Sequence, residues 1–346
     1  MGTINLTHFS PGAGCGCKIA PKDLEEILKN SRSEKNFENL LVGNNSNDDA
    51  AVYDIGNGQA IISTTDFFTP ITDNPFDFGR IAATNAISDI YAMGGAPVMA
   101  ISILGWCLDK LPAEIASQVI AGARQVCDSV NIPLAGGHSI NISEPIFGLA
   151  VTGIIEISKI KKNNTATKDC ILLLTKPLGT GLVTTAEKRG IVRPADKQEA
   201  LTLMTTLNTF GQVISGLEEV KALTDITGFG LLGHCIEMAE GSNLCAVIDY
   251  EKVPRIIGID YYIEQNCMPG GTTRNFASYG HKVSPLNNHQ KALLCDPQTS
   301  GGLLIAIEKD AVSIVEDLAM QNNIPLYNIG YLEEKRRNYI VRIESQ

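Results

Sequence analysis

The stretch AVYDIGNGQAIISTT, residues 51–65, decides the fold class. Its segments 51–53 and 59–65 have the composition of strands, and the Gly/Asn-rich run 55–58 between them is typical of a tight hairpin turn. A hairpin pairs its two strands antiparallel, which is not how a doubly wound parallel sheet is built. The sequence therefore predicts a mixed α+β fold.

Helix and strand signals continue through the rest of the chain. Apolar residues at helical spacing predict helices from residue 21 and over 112–130, and further helices are expected over 76–93, within 180–220 and over 228–240. Strands are expected at 97–104, 132–135, 146–157, 170–175, 303–307 and 339–343, with a long loop rich in Gly, Pro and Asn near 266–290. The polar run 158–169 separates two halves, so we expect a mobile glycine-rich arm over 1–47, an N-terminal α/β domain over 48–157 and a C-terminal α/β domain over 168–346.

The composition is that of a globular protein with an acidic surface. The 346 residues include 38 Asp and Glu against 28 Lys and Arg, a formal charge of −10. Such a surface repels a nucleic-acid backbone, but carboxylates bind small phosphates through a divalent cation placed between the two. No basic and apolar leader and no long apolar span is visible, and the nine cysteines are odd in number, so reduced thiols in the cytoplasm are expected.

Two thiols and a cation lie close together in GAGCGCK, residues 12–18. The glycines leave this backbone free, so Cys15 and Cys17 are expected to be exposed, with Lys18 favouring the thiolate form. Such a pair can be a metal chelate, a redox pair or a nucleophile with a helper, and the alternative is an incidental pair in a tail. Exposed free thiols are normally avoided, which favours a function. Structural zinc is disfavoured because no second Cys/His pair follows at zinc-finger spacing.

Five aspartates are candidates for a divalent-metal site. They are Asp48, Asp49, Asp66, Asp89 and Asp225, of which the last is expected to begin a helix. Asp89 is the most informative, because it lies in a nearly apolar helix one turn after Asn85 and a lone buried charge is costly. Any one of them alone is more often a cap or an ion-pair partner. As a group they suggest Mg²⁺, which takes oxygen ligands and substrate phosphates.

Four glycine-rich segments combine small residues with hydroxyl groups: 136–139, 227–234, 270–272 and 299–302. Backbone N–H groups in such loops can approach phosphate oxygens. None has the spacing of a P-loop or a dinucleotide-binding loop, so a tight turn is the simpler interpretation of each one alone. His138 and His234 fit no Ser/His/Asp order, and no hydrolase triad is assigned.

Together these segments resemble the selenophosphate synthetases (selenide, water dikinases), within the larger group of aminoimidazole ribonucleotide synthetase-like enzymes. The likeness covers nearly the whole chain and is carried by 14–18, 48–52, 64–68, 83–89, 136–139, 224–230 and 296–302. The aspartates and glycine loops are common to the larger group, whereas the Cys-Gly-Cys-Lys run at 15–18 is particular to the selenophosphate synthetases. Pro11 is a departure, because some relatives begin this loop with His.

The resemblance implies a homodimer of two-domain subunits whose N-terminal domains pair, with ATP bound there under the arm. It also implies the reaction: ATP, hydrogen selenide and water give selenophosphate, AMP and orthophosphate, with Mg²⁺ required and K⁺ as a further candidate cation. The product would supply selenium for selenocysteine and selenouridine.

The site residues carried over by motif fall into four groups. Cys15 would be the reactive residue, and Lys18 would contact phosphate. The nucleotide would be lined by Ser46, Asn47, Asp48, Asp66 and Asp89, and Mg²⁺ would be held by Asp49, Asp89 and Asp225. From the other subunit, ATP would be reached by Gly137, His138 and Ser139. Whether Cys15 holds selenium, assists its attack or only shapes the pocket stays open.

Two other classes of function also stay open. A different ATP-dependent member of the larger group, such as a thiamine-phosphate kinase or an amidine-ring synthetase, would lack the Cys-Gly-Cys-Lys arm and would release ADP rather than AMP. A non-catalytic selenium or metal carrier would use Cys15 and Cys17 but would leave the aspartates and glycine loops unexplained.

Overall fold

A computed structural model describes residues 5–10, 12–19, 21–29, 35, 37–43, 48–335 and 338–344. Within these residues the chain forms two six-stranded sheets with helices packed against them. The strands are β1 Leu40–Val42, β2 Ala51–Gly56, β3 Gln59–Phe68, β4 Ala96–Trp106, β5 Leu134–Asn141, β6 Ile146–Glu156, β7 Ile171–Leu174, β8 Val220–Asp225, β9 Leu244–Asp249, β10 Leu303–Ile307, β11 Tyr327–Glu334 and β12 Val341–Glu344.

The helices fill the intervals between the strands. They are α1 Pro21–Lys29, α2 Pro75–Ala92, α3 Ala113–Ser129, α4 Thr180–Lys188, α5 Pro194–Thr205, α6 Phe210–Ile214, α7 Gly230–Gly241, α8 Ile259–Glu264, α9 Gly270–Tyr279, α10 Asn288–Leu294 and α11 Val312–Gln321. No helix in the described part of the chain has both the length and the hydrophobicity needed to cross a bilayer.

The first sheet has the order β1-β2-β3-β6-β4-β5, and only the pair β4–β5 is parallel. The hairpin predicted at 51–65 forms as β2 and β3, with Val52 opposite Ile62. Its turn needs left-handed backbone, since φ is 87° at Gly56, 56° at Asn57 and 74° at Gly58, and Gly and Asn adopt such angles at low cost. The second sheet, β12-β9-β11-β7-β10-β8, is likewise antiparallel apart from β9–β12. The mixed α+β prediction is confirmed.

Helix α2 is the central element of the molecule. Asn74 caps its N-terminus by accepting a hydrogen bond from Asp77 N, and Gly94, at φ 84°, ends it in the left-handed conformation. The helix is buried from Ile81 onward because it contacts the first sheet on one side and β8, α5 and α6 on the other. A helix enclosed on all sides is expected to be apolar all round, which makes its few polar residues informative.

Two predictions from the sequence are wrong in the C-terminal half. The expected loop near 266–290 contains α9, and it also contains the start of α10, where Asn287 and Gln290 form a reciprocal capping box. The Gly, Pro and Asn residues that indicated a loop are the caps of these helices. Asp225 ends β8 rather than beginning a helix, because the next helix, α7, starts only at Gly230.

The described part of the arm packs against the body of the molecule. Leu6 and Cys15 are fully buried, and Gly14 N donates a hydrogen bond to Thr69 O at 3.1 Å. A short 3₁₀ turn, here called the Cys15 turn, covers Gly14–Cys17, and α1 follows as the sequence predicts. The arm thus brings the residues of its cysteine motif to the contact between the two halves.

Helices α2 and α3 approach each other at two glycines, and this contact generates a stability prediction. A Cβ added at Gly79 would lie 1.8 Å from the carbonyl oxygen of Val119, and the same close approach occurs at Gly122. Gly79→Ala is therefore expected to lower the free energy of unfolding by about 3 kcal/mol, as measured by urea denaturation. Gly216→Ala, whose new methyl group meets nothing within 4 Å, is the control and should leave the midpoint near that of the unmodified protein. Equal shifts in both variants would contradict the close contact.

Candidate active site

An open cavity of about 690 Å³, here called the acidic cleft, lies where the two halves of the chain meet. Its lining includes carboxylates from both halves: Asp48, Asp49, Asp66, Asp89, Asp225, Glu237 and Glu240. Asp66 points inward from β3, Asp89 from the end of α2 and Asp225 from the end of β8. The five aspartates singled out in the sequence thus line one cavity.

Hydroxyl groups hold three of these carboxylates in place. Thr224 Oγ1 donates to Asp49 Oδ1 at 2.8 Å, Thr64 Oγ1 to Asp89 Oδ2 at 2.5 Å and Ser88 Oγ to Asp225 Oδ2 at 2.5 Å. A neutral hydroxyl orients a carboxylate without cancelling its charge. The buried oxygen Oδ2 of Asp49 accepts no hydrogen bond from any residue that the structure describes. The cleft therefore keeps free capacity for a cation.

The charges of the acidic cleft raise one another's pKa values. Burial raises the pKa of Asp49 and of Asp89 well above the ordinary carboxyl range, and the neighbouring charge of Asp225 raises both further. Burial also raises the pKa of Asp225 itself. Within the described residues no three His, Cys, Asp or Glu side chains form a ready metal-binding group. The arrangement suits a hard cation that takes only part of its ligands from the protein.

The Cys15 turn differs from the sequence prediction, because Cys15 is not exposed. Its side chain is fully buried, its N–H donates to Thr299 Oγ1 at 3.0 Å, and its thiol donates to Asn85 Oδ1 at 3.3 Å. Burial raises the pKa of this thiol, the charge of Asp66 raises it further, and Lys18 only partly opposes them. The expectation of an exposed thiolate was therefore wrong for Cys15. Cys17 is exposed, as predicted.

Glycines explain why the Cys15 turn is buried. Gly14 has φ 51°, and a Cβ added there would lie 2.4 Å from the side chain of Ile71. A Cβ added at Gly228, on the C-terminal half, would lie 2.7 Å from Cys15 O. These glycines permit tight packing of the turn between the halves, so glycines in the arm indicate close packing here and not exposure.

One carboxylate oxygen joins the arm to the body of the molecule. Lys18 Nζ lies 2.9 Å from Asp66 Oδ2, and Asn85 Nδ2 donates to the same oxygen at 2.8 Å. Asn85 Oδ1 also accepts the backbone N–H of Ser300 at 2.8 Å. Since this amide oxygen can only accept, the Cys15 thiol must supply the proton of their contact.

The other predicted site residues differ in where they lie relative to the acidic cleft. Asp48 Oδ1 accepts the backbone N–H of Asn163 at 2.8 Å at the edge of the acidic cleft, and Ser46 and Asn47 are outside the described residues. Gly137, His138 and Ser139 do not line the cleft; they are exposed on β5, the edge strand of the first sheet. The expected glycine loop at 136–139 is thus a strand segment.

Polar residues beyond the predicted site residues also shape the site. Thr299 and Ser300 contact Cys15 and Asn85, and Asn208 donates to both Ser88 Oγ and Gly301 O. Lys176 is buried and donates to the carbonyl oxygens of Thr206 and Ser300, and burial lowers its pKa to about 7. Asn85 stood out in the sequence as a polar residue in an apolar helix, but nothing in the sequence gave its partners.

Comparison with known proteins gives matches along nearly the whole chain. Residues 47–155 match the family model described as AIR synthase related protein, N-terminal domain, and residues 167–343 match the corresponding C-terminal domain. Selenide, water dikinase of Haemophilus influenzae is 57% identical over 339 residues, covering 98% of each chain. Selenide, water dikinase of Photobacterium profundum is 58% identical over 332 residues, covering 95% of this chain and 96% of that one.

Solved structures with the same architecture are more distant in sequence. Thiamine-monophosphate kinase from Stenotrophomonas maltophilia matches with a TM-score of 0.66 at 18% identity, covering 95% of this chain and 96% of that chain. Hydrogenase maturation protein HypE in complex with ATP matches with a TM-score of 0.64 at 17% identity, covering 99% and 95%. At this identity the likeness concerns the fold alone.

Proposed function

The chain belongs to the family of selenide, water dikinases, and we propose that the acidic cleft and the Cys15 turn together form its active site. The activity is ATP-dependent synthesis of selenophosphate: ATP, hydrogen selenide and water give selenophosphate, AMP and orthophosphate. The observation that best supports this site is the contact of 2.9 Å between Lys18 Nζ and Asp66 Oδ2. This contact links Lys18, from the Cys-Gly-Cys-Lys motif that is particular to this family, to one of the aspartates that are common to the larger group of aminoimidazole ribonucleotide synthetase-like enzymes.

ATP would occupy the acidic cleft with its triphosphate directed toward the aspartates. The volume of about 690 Å³ is in the range of small-molecule sites. Asp48, Asp66 and Asp89 would line the nucleotide together with Ser46 and Asn47. Lys18 already lies at the cleft, so its ammonium group can exchange Asp66 for a phosphate oxygen. A domain division at 1–47, 48–157 and 168–346 would place this site between the two α/β domains.

Mg²⁺ would be held by Asp49, Asp89 and Asp225. Two observations support this fit: no described residue donates a hydrogen bond to the buried Asp49 Oδ2, and the charge of Asp225 raises the pKa values of Asp49 and Asp89 beyond the effect of burial. When bound, the cation would neutralise the triphosphate and the charge that develops during phosphoryl transfer. A role for K⁺ stays a prediction from the resemblance.

Cys15 would take a direct part in handling selenium. Hydrogen selenide is easily oxidised and a phosphorylated intermediate is lost to water, so a thiol enclosed by the arm suits both requirements. Three hydrogen bonds connect the buried side chain of Cys15 to Lys18, through Asn85 and Asp66. The arm can therefore bring the thiol and the phosphate-binding cation to the cleft in a single movement.

A second copy of the chain would cover the outer face of the first sheet. Helices α2 and α3 pack against the inner face, but the outer face exposes apolar side chains: Tyr53, Ile61, Phe67, Met99, Ile101 and Ile154. An exposed apolar area of this kind is typical of an interface. The exposed residues Gly137, His138 and Ser139 lie on β5 of the same sheet, which would let them reach the partner's nucleotide.

We place this activity in the cytoplasm, where free thiols stay reduced. All nine cysteines lie within the described residues, and no disulfide joins any of them. Selenophosphate made there would supply activated selenium for selenocysteine and selenouridine.

Asp49→Asn tests the metal site. It removes one charge from a buried cluster and keeps an oxygen for Thr224, so the melting temperature without Mg²⁺ should rise by about 2 °C. The pKa of Asp49 is higher in the folded protein than in the unfolded chain. The free energy of unfolding therefore falls as pH rises from the pKa of the unfolded state toward that of the folded state, and it should fall less in Asp49→Asn. Mg²⁺-dependent ATP turnover should disappear.

The exposed Asp109→Asn is the matched control and should change neither property. Undiminished ATP turnover in Asp49→Asn, or a lower melting temperature without Mg²⁺, would remove Asp49 from the metal site.

Cys15→Ser tests the thiol. Selenide-dependent AMP formation, followed by phosphorus NMR with and without selenide, should fall by at least about 100-fold, because a hydroxyl is a much poorer nucleophile than a thiol. Cys17→Ser changes an exposed thiol two residues away and should stay active. Full activity of Cys15→Ser would refute direct participation, and release of ADP instead of AMP by the unmodified protein would indicate a kinase of the thiamine-phosphate type.

Phe67→Asp tests the dimer. A charge on the exposed apolar face should prevent association, so sedimentation equilibrium should give a dimer for the unmodified protein and a monomer for the variant. Met320→Asp places the same charge on an exposed site of α11 and should remain dimeric. An unmodified protein that sediments as a monomer would overturn this proposal.

A further inference from the structure

A second cavity, here called the basic cavity, also borders the Cys15 turn. Its volume is about 410 Å³, and the arm contributes Gly12, Ala13 and Gly16 to its lining. The acidic cleft is bounded instead by Lys18, and the two cavities have no lining residue in common. The Cys15 turn therefore separates two chambers.

The two chambers carry opposite charge. Lys188, Arg189 and Arg274 line the basic cavity, and no Asp or Glu does. Their cationic groups contact backbone carbonyl oxygens: Lys188 Nζ to Ser10 O at 2.9 Å, Arg189 Nη1 to Asn266 O at 2.8 Å and Arg274 Nη2 to Gly16 O at 2.6 Å. None of the three is in an ion pair with another described residue. In a chain of formal charge −10, this cavity concentrates positive charge that no carboxylate cancels.

The backbone adds to this positive potential. Gly270 and Gly271, the first residues of α9, line the basic cavity, and Pro269 before them supplies no capping side chain. The first N–H groups of a helix are free to bind an anion. Thr299, which accepts the N–H of Cys15, also lines the cavity. An anion held there would be separated from Cys15 by a single residue, Thr299.

We propose that the basic cavity binds the selenium substrate as the hydroselenide anion and presents it to Cys15 from the side opposite ATP. Hydrogen selenide is ionised at neutral pH, so the carboxylates and the triphosphate of the acidic cleft would repel it. Entry through the basic cavity avoids that repulsion and lets both substrates be bound together. This inference rests on the proposed function, because it takes the Cys15 turn as part of the active site. An anionic product, selenophosphate or orthophosphate, shares the same binding chemistry.

Neutral variants of the basic cavity test the charge requirement. Lys188→Gln and Arg274→Gln should each raise KM for selenide about tenfold, the effect expected from one lost charge-assisted contact, while KM for ATP changes less than twofold. Lys188→Arg keeps the charge and should restore KM for selenide, which a merely structural defect of the arm would not allow. Lys252→Gln is the control for net charge. Lys252 is an exposed cation outside the basic cavity, so this variant should behave like the unmodified protein.

Bromide tests binding directly, because it is a monovalent anion with the same number of electrons as hydroselenide. It should inhibit competitively against selenide and not against ATP, and crystals soaked in bromide should show an anomalous peak in the basic cavity that is absent in Arg274→Gln. If the soaked crystals showed orthophosphate and no bromide in the basic cavity, the cavity would be a product site. That result would overturn its assignment to the selenium substrate.

The kinetic test separates the two proposals. An unmodified protein that converts ATP to AMP with selenide, combined with unchanged KM for selenide in both neutral variants, would overturn the inference alone. An unmodified protein that forms no AMP with selenide would overturn the proposed function itself.

Discussion

The hydrogen bonds that meet at Asp66 Oδ2 are the constraint on which the rest of the site depends. This oxygen accepts from Lys18 of the arm and from Asn85 of α2, and Asn85 in turn accepts the backbone N–H of Ser300. One carboxylate on β3 therefore connects the arm, the first sheet, the central helix and a loop of the C-terminal half. The charge of Lys18 is what makes this connection favourable, because a buried carboxylate without a cation is costly.

Asp49, Asp89 and Asp225 form no ion pair with any described residue. Thr64, Ser88 and Thr224 orient them, but a hydroxyl group leaves the negative charge in place. Placing these charges close together lowers the free energy of unfolding, which would bring no benefit to a purely structural site. A site that binds a metal and a triphosphate needs its negative charges in position before the ligands arrive. The same reasoning explains why a separate chamber free of carboxylates suits an anionic substrate.

The sequence predicted those parts of the fold that local chemistry determines. The hairpin at 51–65 follows from left-handed Gly and Asn, and the helix expected over 76–93 forms as α2, between its caps at Asn74 and Gly94. The loop expected near 266–290 failed because Gly, Pro and Asn also cap helices, which local composition does not distinguish. The aspartates could be named from the sequence, but not the contact between Asn85 and Ser300, 215 residues apart. The burial of Cys15 was missed for the same reason, since it depends on distant elements that enclose the arm.

The protonation of Cys15 connects the two chambers. In the arrangement seen here the thiol donates to Asn85, and burial and the charge of Asp66 both raise its pKa, while Lys18 is occupied by Asp66. A cation bound by Asp49, Asp89 and Asp225 would oppose the charge of Asp66 that raises the thiol's pKa, while the larger effect of burial would remain. It would also reduce the hold of Asp66 on Lys18, whose charge could then stabilise either a phosphate or a thiolate. Metal and nucleotide binding would therefore precede activation of the thiol. Selenide bound in the basic cavity would then contact a reactive Cys15 only when a phosphoryl donor is present.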